Sequence, residues 1–455
     1  METGGFIDSC VAALAQPEAL RCELARAFES VARYDATVAF RSGEHVATAC
    51  VRDSSSAVGP AFATIEIGCV AKLLTAALAR AVLAGGALAP DDEVLKVLGR
   101  SAASRVLRGI SVRQLLDHTH GLDDSRIVTV PRRADHRIDV DALARALGAA
   151  PVLAPPGAIY SYGSAGAWLV AALLERLDGR PYSEQVRARI LAPLEIFDRE
   201  PRPLAPICPA AGGALALDAE QLLRFVAHAA LRDPETWPDE NRAGVFGPIC
   251  PLPGWNPLER GVHLGWKYCG GGWFGHQSVR PRASLLVRAN PRRALAFVVA
   301  SREHSAAVVA ARVFGAHLPE LFDLRITAQP NVARIGPLVG TFGSAAWSVA
   351  IRRSRGGLEL RVRRRGKPGV SRAVLQPSAG RVWFARPAVV PFPHVEIVTL
   401  ESGTDFLWNG RFVLRKIDRA SASTRSVSKA YTPAHPLAGD TRCVTQPWFS
   451  RVRSR

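Results

Sequence analysis

Cys69 stands three residues ahead of Lys72 in the segment Ile65-Glu66-Ile67-Gly68-Cys69-Val70-Ala71-Lys72, at the start of an apolar run with helical character. That spacing puts the two side chains on one helical face, so the Lys72 amine can lie beside the sulfur, as a base when neutral or as a counter-charge when protonated. A helix N-terminus and a nearby cation both favour thiolate over thiol. The pair therefore suits nucleophilic attack on a carbonyl. A lone C-x-x-K match also fits a cysteine that is only a small buried apolar residue. Composition speaks for the first reading. The 58 Lys plus Arg include six lysines (Lys72, Lys96, Lys267, Lys367, Lys416 and Lys429) and 52 arginines. A chain this poor in lysine has one three residues after the cysteine, where arginine, always protonated, could not act as a base.

The segment from Ile65 to Lys72, followed by Leu73-Leu74-Thr75-Ala76-Ala77, resembles the S-x-x-K stretch of the serine β-lactamase and penicillin-binding-protein superfamily, in its class C, esterase, D-aminopeptidase and thioesterase branch, with cysteine where the family has serine. Further resemblances follow in the family's order. Ile110-Ser111-Val112-Arg113-Gln114-Leu115-Leu116-Asp117-His118-Thr119-His120-Gly121-Leu122 is similar to the buried segment ahead of the active-site entrance, with His118 structural. Tyr160-Ser161-Tyr162-Gly163-Ser164 resembles the Y-x-N motif, with Tyr162 on the tyrosine and Ser164 on the asparagine. Ala210-Ala211-Gly212-Gly213-Ala214-Leu215 resembles a scaffold turn leading into a helix. Gly270-Gly271-Gly272-Trp273-Phe274-Gly275-His276-Gln277-Ser278 resembles the strand with the third motif, K-T-G or H-x-G; His276 falls on the basic position and Ser278 replaces the glycine.

Acyl transfer needs a base for the nucleophile, donors for the oxyanion and a proton for the leaving group. The resemblance implies Cys69 as nucleophile, Lys72 and Tyr162 sharing the acid and base roles, and His276 adding polarity or a substrate contact. It implies an oxyanion hole from the backbone N–H groups of Cys69 and Val279, with Ser164, Gln277 and Ser278 among the substrate-binding positions. The Cβ of Ser278, absent in the family's glycine, is expected to crowd the substrate's approach. A cysteine nucleophile forms a thioester, whose carbonyl favours amines over water. The expected activity is transfer of an acyl or peptidyl group from an activated ester or thioester to an amine, with intramolecular transfer making a cyclase. Hydrolysis of esters or D-peptides, and a decayed site that only binds, remain open alternatives.

The positioning elements follow from patterning. Ile7 to Arg33 has helical spacing, and Thr37–Phe40 and Val46–Val51 flank Ser42-Gly43 as a hairpin. Ser284–Val287 and Leu295–Ala300 read as strands around Asn290-Pro291, and Ala306 to Phe322 returns to helical spacing. Terminal strands and helices around a helical middle, Asp91 to about Ala230, predict an α+β fold: an antiparallel sheet flanked by helices with an inserted helical subdomain. After Asp323 short strands take over at Trp347–Ile351, Leu358–Val362, Val382–Ala385, Val395–Leu400, Phe406–Trp408 and Phe412–Leu414, with Asn409-Gly410 as a two-residue hairpin turn. They predict a small antiparallel meander or barrel, similar to the lipocalin-like domain of some superfamily members, with Val339-Gly340-Thr341-Phe342 resembling its opening. The expected domains are a catalytic domain over 1–325, a β domain over 326–418 and a basic, disordered tail over 419–455.

Net charge is +18, and basic residues crowd late: Arg352, Arg353, Arg355, Arg361, Arg363, Arg364, Arg365 and Lys367 gather in what reads as one hairpin. Without aromatic interleaving or a recognition motif, nucleic acid is not favoured as partner. Arginine enrichment at a solvated surface and docking of an acidic acyl carrier domain remain. The eight cysteines (Cys10, Cys22, Cys50, Cys69, Cys208, Cys250, Cys269 and Cys443) show no paired spacing, so neither zinc nor a disulfide framework is expected. No phosphate-binding glycine loop appears, and no cofactor is called for. The apolar stretches are too short or too interrupted to span a bilayer, and Met1 to Phe6 lacks a basic leader, which predicts a cytoplasmic protein.

Overall fold

The computed structural model describes residues 14–28, 35–52, 64–101, 103–196, 207–209, 215–238, 244–280, 283–302, 305–322, 338–355, 357–378, 382–389 and 391–417. The glycine-rich turn at 210–214, the ends of the first expected helix, Cys10, Cys443 and the tail from 419 lie outside the described residues. The chain divides into two compact units, residues 1–326 and 327–455.

Among the described residues of the first unit ten strands form in chain order: β1 (Asp35–Ser42), β2 (His45–Arg52), β3 (Ile65–Glu66), β4 (Ala216–Leu217), β5 (Cys250–Pro251), β6 (Gly261–His263), β7 (Trp266–Gly270), β8 (Trp273–Arg280), β9 (Ala283–Asn290) and β10 (Leu295–Ser301). Eight make one antiparallel sheet in the order β2-β1-β10-β9-β8-β7-β6-β5, and β3 pairs with β4 apart from it. The early hairpin thus completes a sheet laid down mostly by late strands, through pairs from Ala36↔Ser301 to Ser42↔Leu295. All seven residues of β10 are buried, as a strand covered on both faces requires. The helix Ala219–Leu231, closed at its start by reciprocal Asp218 and Gln221 hydrogen bonds, packs on β1, β9 and β10. The helix Ala306–Phe314 lies on β9 and β10, and Phe314 meets Phe40 and Phe297 at ring separations of 5.6 and 4.5 Å.

Three expectations shift here. The helical stretch expected from Asp91 to about Ala230 divides, because the helix Ala219–Leu231 buries Leu222, Phe225 and Val226 and belongs to the sheet layer. Helical structure from Ala306 stops at Phe314, with a 3₁₀ turn later at Pro319–Leu321. Among the described residues of the span expected from Ile7 to Arg33, the helix is Pro17–Phe28, with a turn at 14–16 before it. Two apolar helices, Ala71–Ala84 and Ala165–Asp178, pack against each other, and the second is buried at every position from Ala165 to Glu175. Among the described residues no helix is long and apolar enough to cross a membrane.

The second unit is a closed antiparallel barrel of β11 (Gly340–Gly343), β12 (Trp347–Ser354), β13 (Gly357–Arg364), β14 (Ser371–Pro377), β15 (Trp383–Val389), β16 (Phe392–Thr399), β17 (Asp405–Trp408) and β18 (Val413–Lys416), closed by Phe342↔Lys416 and Gly343↔Arg415. Each strand contributes to one apolar interior, including Phe342, Val349, Leu360, Leu375, Ala385, Phe392, Leu407 and Leu414. The strand at Ser371–Pro377 adds to those expected; it buries only Ala373 and Leu375 inward, a faint alternation. The Asn409-Gly410 connection is not a two-residue turn. Trp408↔Val413 closes the hairpin around four residues, because Asn409 Oδ1 accepts from the N–H groups of Arg411 and Phe412 at 3.0 and 2.9 Å. The late arginines do gather on one hairpin, β12–β13: Arg352 and Arg353 lie on β12, Arg361, Arg363 and Arg364 on β13, Arg355 at the turn between them, and Arg365 and Lys367 just beyond β13.

Candidate active site

Cys69 lies in a short 3₁₀ turn, Gly68–Val70, that runs directly into the helix Ala71–Ala84. On the upstream side the β3–β4 ribbon anchors the turn, continued by an Ile67 N–H bond to the Leu215 carbonyl at 3.1 Å. On the other side lies β8. Beyond Gly275 that strand has no partner in β7, so its residues 276–280 lie along the nucleophile turn. Arg280 of β8 forms an ion pair with Glu66 and fastens the two. Gly68 takes φ +52°, and a Cβ there would lie 2.1 Å from Ser278 Oγ, so the turn needs glycine for both reasons.

Ser278 is 3% exposed, and its hydroxyl accepts the Cys69 N–H at 3.3 Å. The side chain thus sits beneath the nucleophile turn, bonded to one of the two amides expected to make the oxyanion hole. Val279, the other, is half-buried and opposite Ser284 of β9. Gln277 is half-buried, and its N–H donates to His276 Nδ1 at 2.9 Å.

Lys72 is buried in the first turn of the helix, with Nζ 4.7 Å from the centroid of the Tyr162 ring. The Tyr162 hydroxyl meets His276 Nε2 at 3.5 Å. Burial, helped by the charges of Lys267 and Lys72, holds His276 well below the ordinary histidine range, so the ring is neutral. Nδ1 lies 2.9 Å from both the N–H and the carbonyl of Gln277, so either tautomer of the neutral ring is compatible with the Nε2 contact to the Tyr162 hydroxyl. Cys69, Lys72, Tyr162 and His276 thus gather around the junction of one helix, one loop and one strand edge. Ser164 is the residue before the helix Ala165–Asp178; its side chain makes no capping bond to that helix.

Three groups that motif reading did not single out, Asp124, Tyr160 and Lys267, join the site, and His118 packs beside them. Asp124 Oδ2 accepts the N–H of Ser164 and, at 2.5 Å, that of Ala165, closing the start of the helix just after Tyr162. A Cβ on Gly163 would lie 2.7 Å from that carboxylate, so glycine lets the loop pass. Burial raises the Asp124 carboxyl, against the pull of these N–H groups and of Lys72. Tyr160 is buried and hydrogen-bonded to Lys267, whose Nζ lies 4.5 Å from the centroid of Tyr162. His118 holds a left-handed backbone, φ +57°, and its ring packs 4.8 Å from Tyr162 and 5.9 Å from Tyr160. Burial first, then the lysine charges, keep it neutral too. The usable signal for Lys267 was lysine scarcity; Asp124 carried none.

Among the described residues no group of three or more His, Cys, Asp and Glu side chains is set to hold a metal ion. The arrangement can deliver a thiol, a buried amine and a phenol to one carbonyl, in surroundings where two imidazoles stay neutral.

A family model described as Beta-lactamase matches residues 61–316, which spans Cys69, Tyr162 and His276. Penicillin-binding protein 4 of Amycolatopsis lactamdurans is 30% identical over 134 residues, 28% of this chain and 34% of that protein, so the match spans about a third of that relative's length. Among solved structures, SurE with D-Leu is similar at a TM-score of 0.64 with 21% identity, covering 91% of this chain and all of SurE. The octameric penicillin-binding protein homologue from Pyrococcus abyssi is similar at 0.51 with 15% identity, covering 87% of this chain and 99% of its own. These two likenesses speak to the fold, and both run well beyond the first unit. With the family match over more than half its length, the chain belongs to the beta-lactamase family, in the serine β-lactamase and penicillin-binding-protein-like superfamily.

Proposed function

We propose that this protein is a cysteine-dependent acyltransferase, a standalone thioesterase or cyclase of the kind used in peptide natural-product assembly, working in a reducing, cytoplasmic setting. The Cys69 thiolate attacks the carbonyl of an ester or thioester; the bond to the leaving group breaks, and that group departs with a proton from Tyr162 or Lys72. An amine then attacks the Cys69 thioester, gives its proton to the same pair, and the C–S bond breaks to return the thiolate. The observation that carries this reading is Lys72 lying 4.7 Å over the Tyr162 ring just beyond Cys69, with neutral His276 on the phenol oxygen. The donor is a small or peptidyl ester or thioester. Delivery by an acidic acyl carrier domain would suit the second unit, where residues 327–455 hold 22 Lys and Arg against 6 Asp and Glu. Hydrolysis of an ester or D-peptide differs only in letting water take the acyl group.

One observation favours a second reading, a site that binds without turnover: the Cys69 N–H is engaged by Ser278 Oγ. Intact-protein mass spectrometry separates the readings. The protein and its Cys69→Ala variant are mixed with acyl and peptidyl thioesters of both configurations, D-leucyl and D-phenylalanyl included, then chased with amine or water. An adduct that needs Cys69 and clears faster with amine is the expected result. Clearance as fast in water means a hydrolase, and ligand retention without an adduct means binding alone.

A further inference from the structure

Lys267 is the second lysine at this site. It lies on β7, its backbone paired with Gly275 beside His276, and it is 2% exposed. Its ammonium donates to the Tyr160 hydroxyl, lies 3.4 Å from Glu259 Oε2, and stands 4.6 and 4.5 Å from the ring centroids of Tyr160 and Tyr162. Two of the six lysines in a chain with 52 arginines therefore converge on one tyrosine ring. An ammonium moved out of water costs several kcal/mol unless paired, and an apolar residue of similar volume would fill the space without that cost. The titratable groups around Tyr162 are Lys72 from the helix, Lys267 with Glu259 behind it, His276 from β8, and His118, with His120 near it, and Tyr160 from the loops. Cys69 and Asp124 stand nearby. His276, on the third-motif strand, is neutral, so the fixed positive charge beside Tyr162 on the sheet side comes from the neighbouring strand.

We propose that Lys267 is a positioning residue for Tyr162: its ammonium, held by Glu259 and Tyr160, stabilises the Tyr162 phenolate and so makes Tyr162 the proton acceptor of the reaction. This rests on the acid–base role assigned to Tyr162 above. In the cycle Tyr162 takes the proton of the Cys69 thiol, or later of the attacking amine, and returns it to the leaving group; Lys267 keeps its own.

The test is ultraviolet titration of the full-length protein, reading Tyr162 as the difference between each protein and its Tyr162→Phe counterpart, in the parent, Lys267→Met and Lys267→Arg backgrounds. Loss of the charge should raise the Tyr162 midpoint by about one pH unit or more, about tenfold less phenolate at neutral pH. The rising limb of the acylation profile should move by the same amount, and Lys267→Arg should restore most of both. If Lys267→Met does not fold, Lys267→Gln, which can still bond Tyr160, gives the same reading. An unmoved Tyr162 midpoint on loss of the charge overturns the proposal, even if activity falls. A shifted midpoint in a protein that never forms a Cys69 thioester leaves Lys267 assigned and removes the acyltransfer reading instead.

Discussion

The two units of this chain handle charge in opposite ways. Residues 1–326 hold 36 Lys and Arg against 34 Asp and Glu, a net of +2, whereas residues 327–455 hold 22 against 6, a net of +16. In the first unit the informative cations are lysines, few and buried: Lys72 at 4% exposure and Lys267 at 2%. In the second they are arginines on the barrel's outer surface, as where Arg361 of β13 faces Arg372 of β14 across the ladder. Arginine enrichment acting everywhere alike would not leave one unit balanced and the other strongly basic. A buried charge has to be specified by its neighbours, whereas an exposed one acts through summed potential, so changes at the two places should differ in size and in kind.

The largest difference should appear in chemistry. Cys69→Ala should abolish the covalent adduct, and Lys72→Ala should slow acylation by about 10²–10⁴-fold, the usual worth of a positioned base. Replacing Arg363, Arg364 and Arg365 together by glutamine should leave the rate with a small free thioester unchanged. Stopped-flow acylation of the three proteins decides it, and a barrel variant that loses rate with the free substrate would break the contrast.

Stability should divide in the same way. Glu259→Gln removes the carboxylate 3.4 Å from the Lys267 ammonium, and loss of one partner from a buried pair costs about 3–5 kcal/mol. Glu359→Gln removes the partner of Arg361 on the barrel's exterior and should shift nothing measurable, because water screens that pair. Denaturant midpoints for the two variants, each read on a probe in its own unit, would show the contrast; equal shifts would refute it.

A buried carboxyl makes stability of the first unit depend on pH. Asp117 is 2% exposed, and burial lifts its carboxyl to about 7, although its oxygen accepts the Leu264 N–H at 2.6 Å. From about pH 4 to pH 7 the native state keeps a proton that the unfolded chain has lost, so this contribution is full below about pH 4 and falls away as pH rises. Asp117→Asn, which can still accept from Leu264, should match the parent in acid and exceed it by ~2–4 kcal/mol above pH 7, at 1.36 kcal/mol per pH unit. The buried histidines slope the other way in both proteins and cancel in the difference. A gap that fails to widen between acid and neutral pH would show that Asp117 is ionised in the fold.

What the sequence could and could not reveal follows the same division. Cys69, Lys72, Tyr162 and His276 were legible because each belongs to a short local pattern, and the patterns came in one order. The β2-β1-β10-β9 half of the sheet and most of the barrel were legible from alternation or short apolar runs, whereas β14 was faint because only Ala373 and Leu375 point inward. Lys267 was hidden because β7 is buried from Trp266 to Cys269, so alternation cannot say which side faces the site. Asp124 and Ser278 act through contacts 40 and 209 residues away in the chain, and no local pattern carries such a contact.

Ser278 gives the smallest predicted effect and bears most directly on what the first unit does with its backbone. Its Oγ holds the Cys69 N–H at 3.3 Å, in a space that Gly68 leaves open. An incoming carbonyl oxygen must displace that hydroxyl before it can use the amide. A neutral hydrogen bond is worth about 1 kcal/mol net, so Ser278→Gly should speed acylation by up to about tenfold and leave the Cys69 requirement intact. Ser278→Ala separates the hydroxyl from the Cβ: if the hydrogen bond is the obstacle it should gain nearly as much, and if the Cβ crowds the substrate it should gain nothing. A loss of rate in both variants would mean instead that Ser278 supports the nucleophile turn, and that the Cys69 amide is held in place by this bond and not blocked by it.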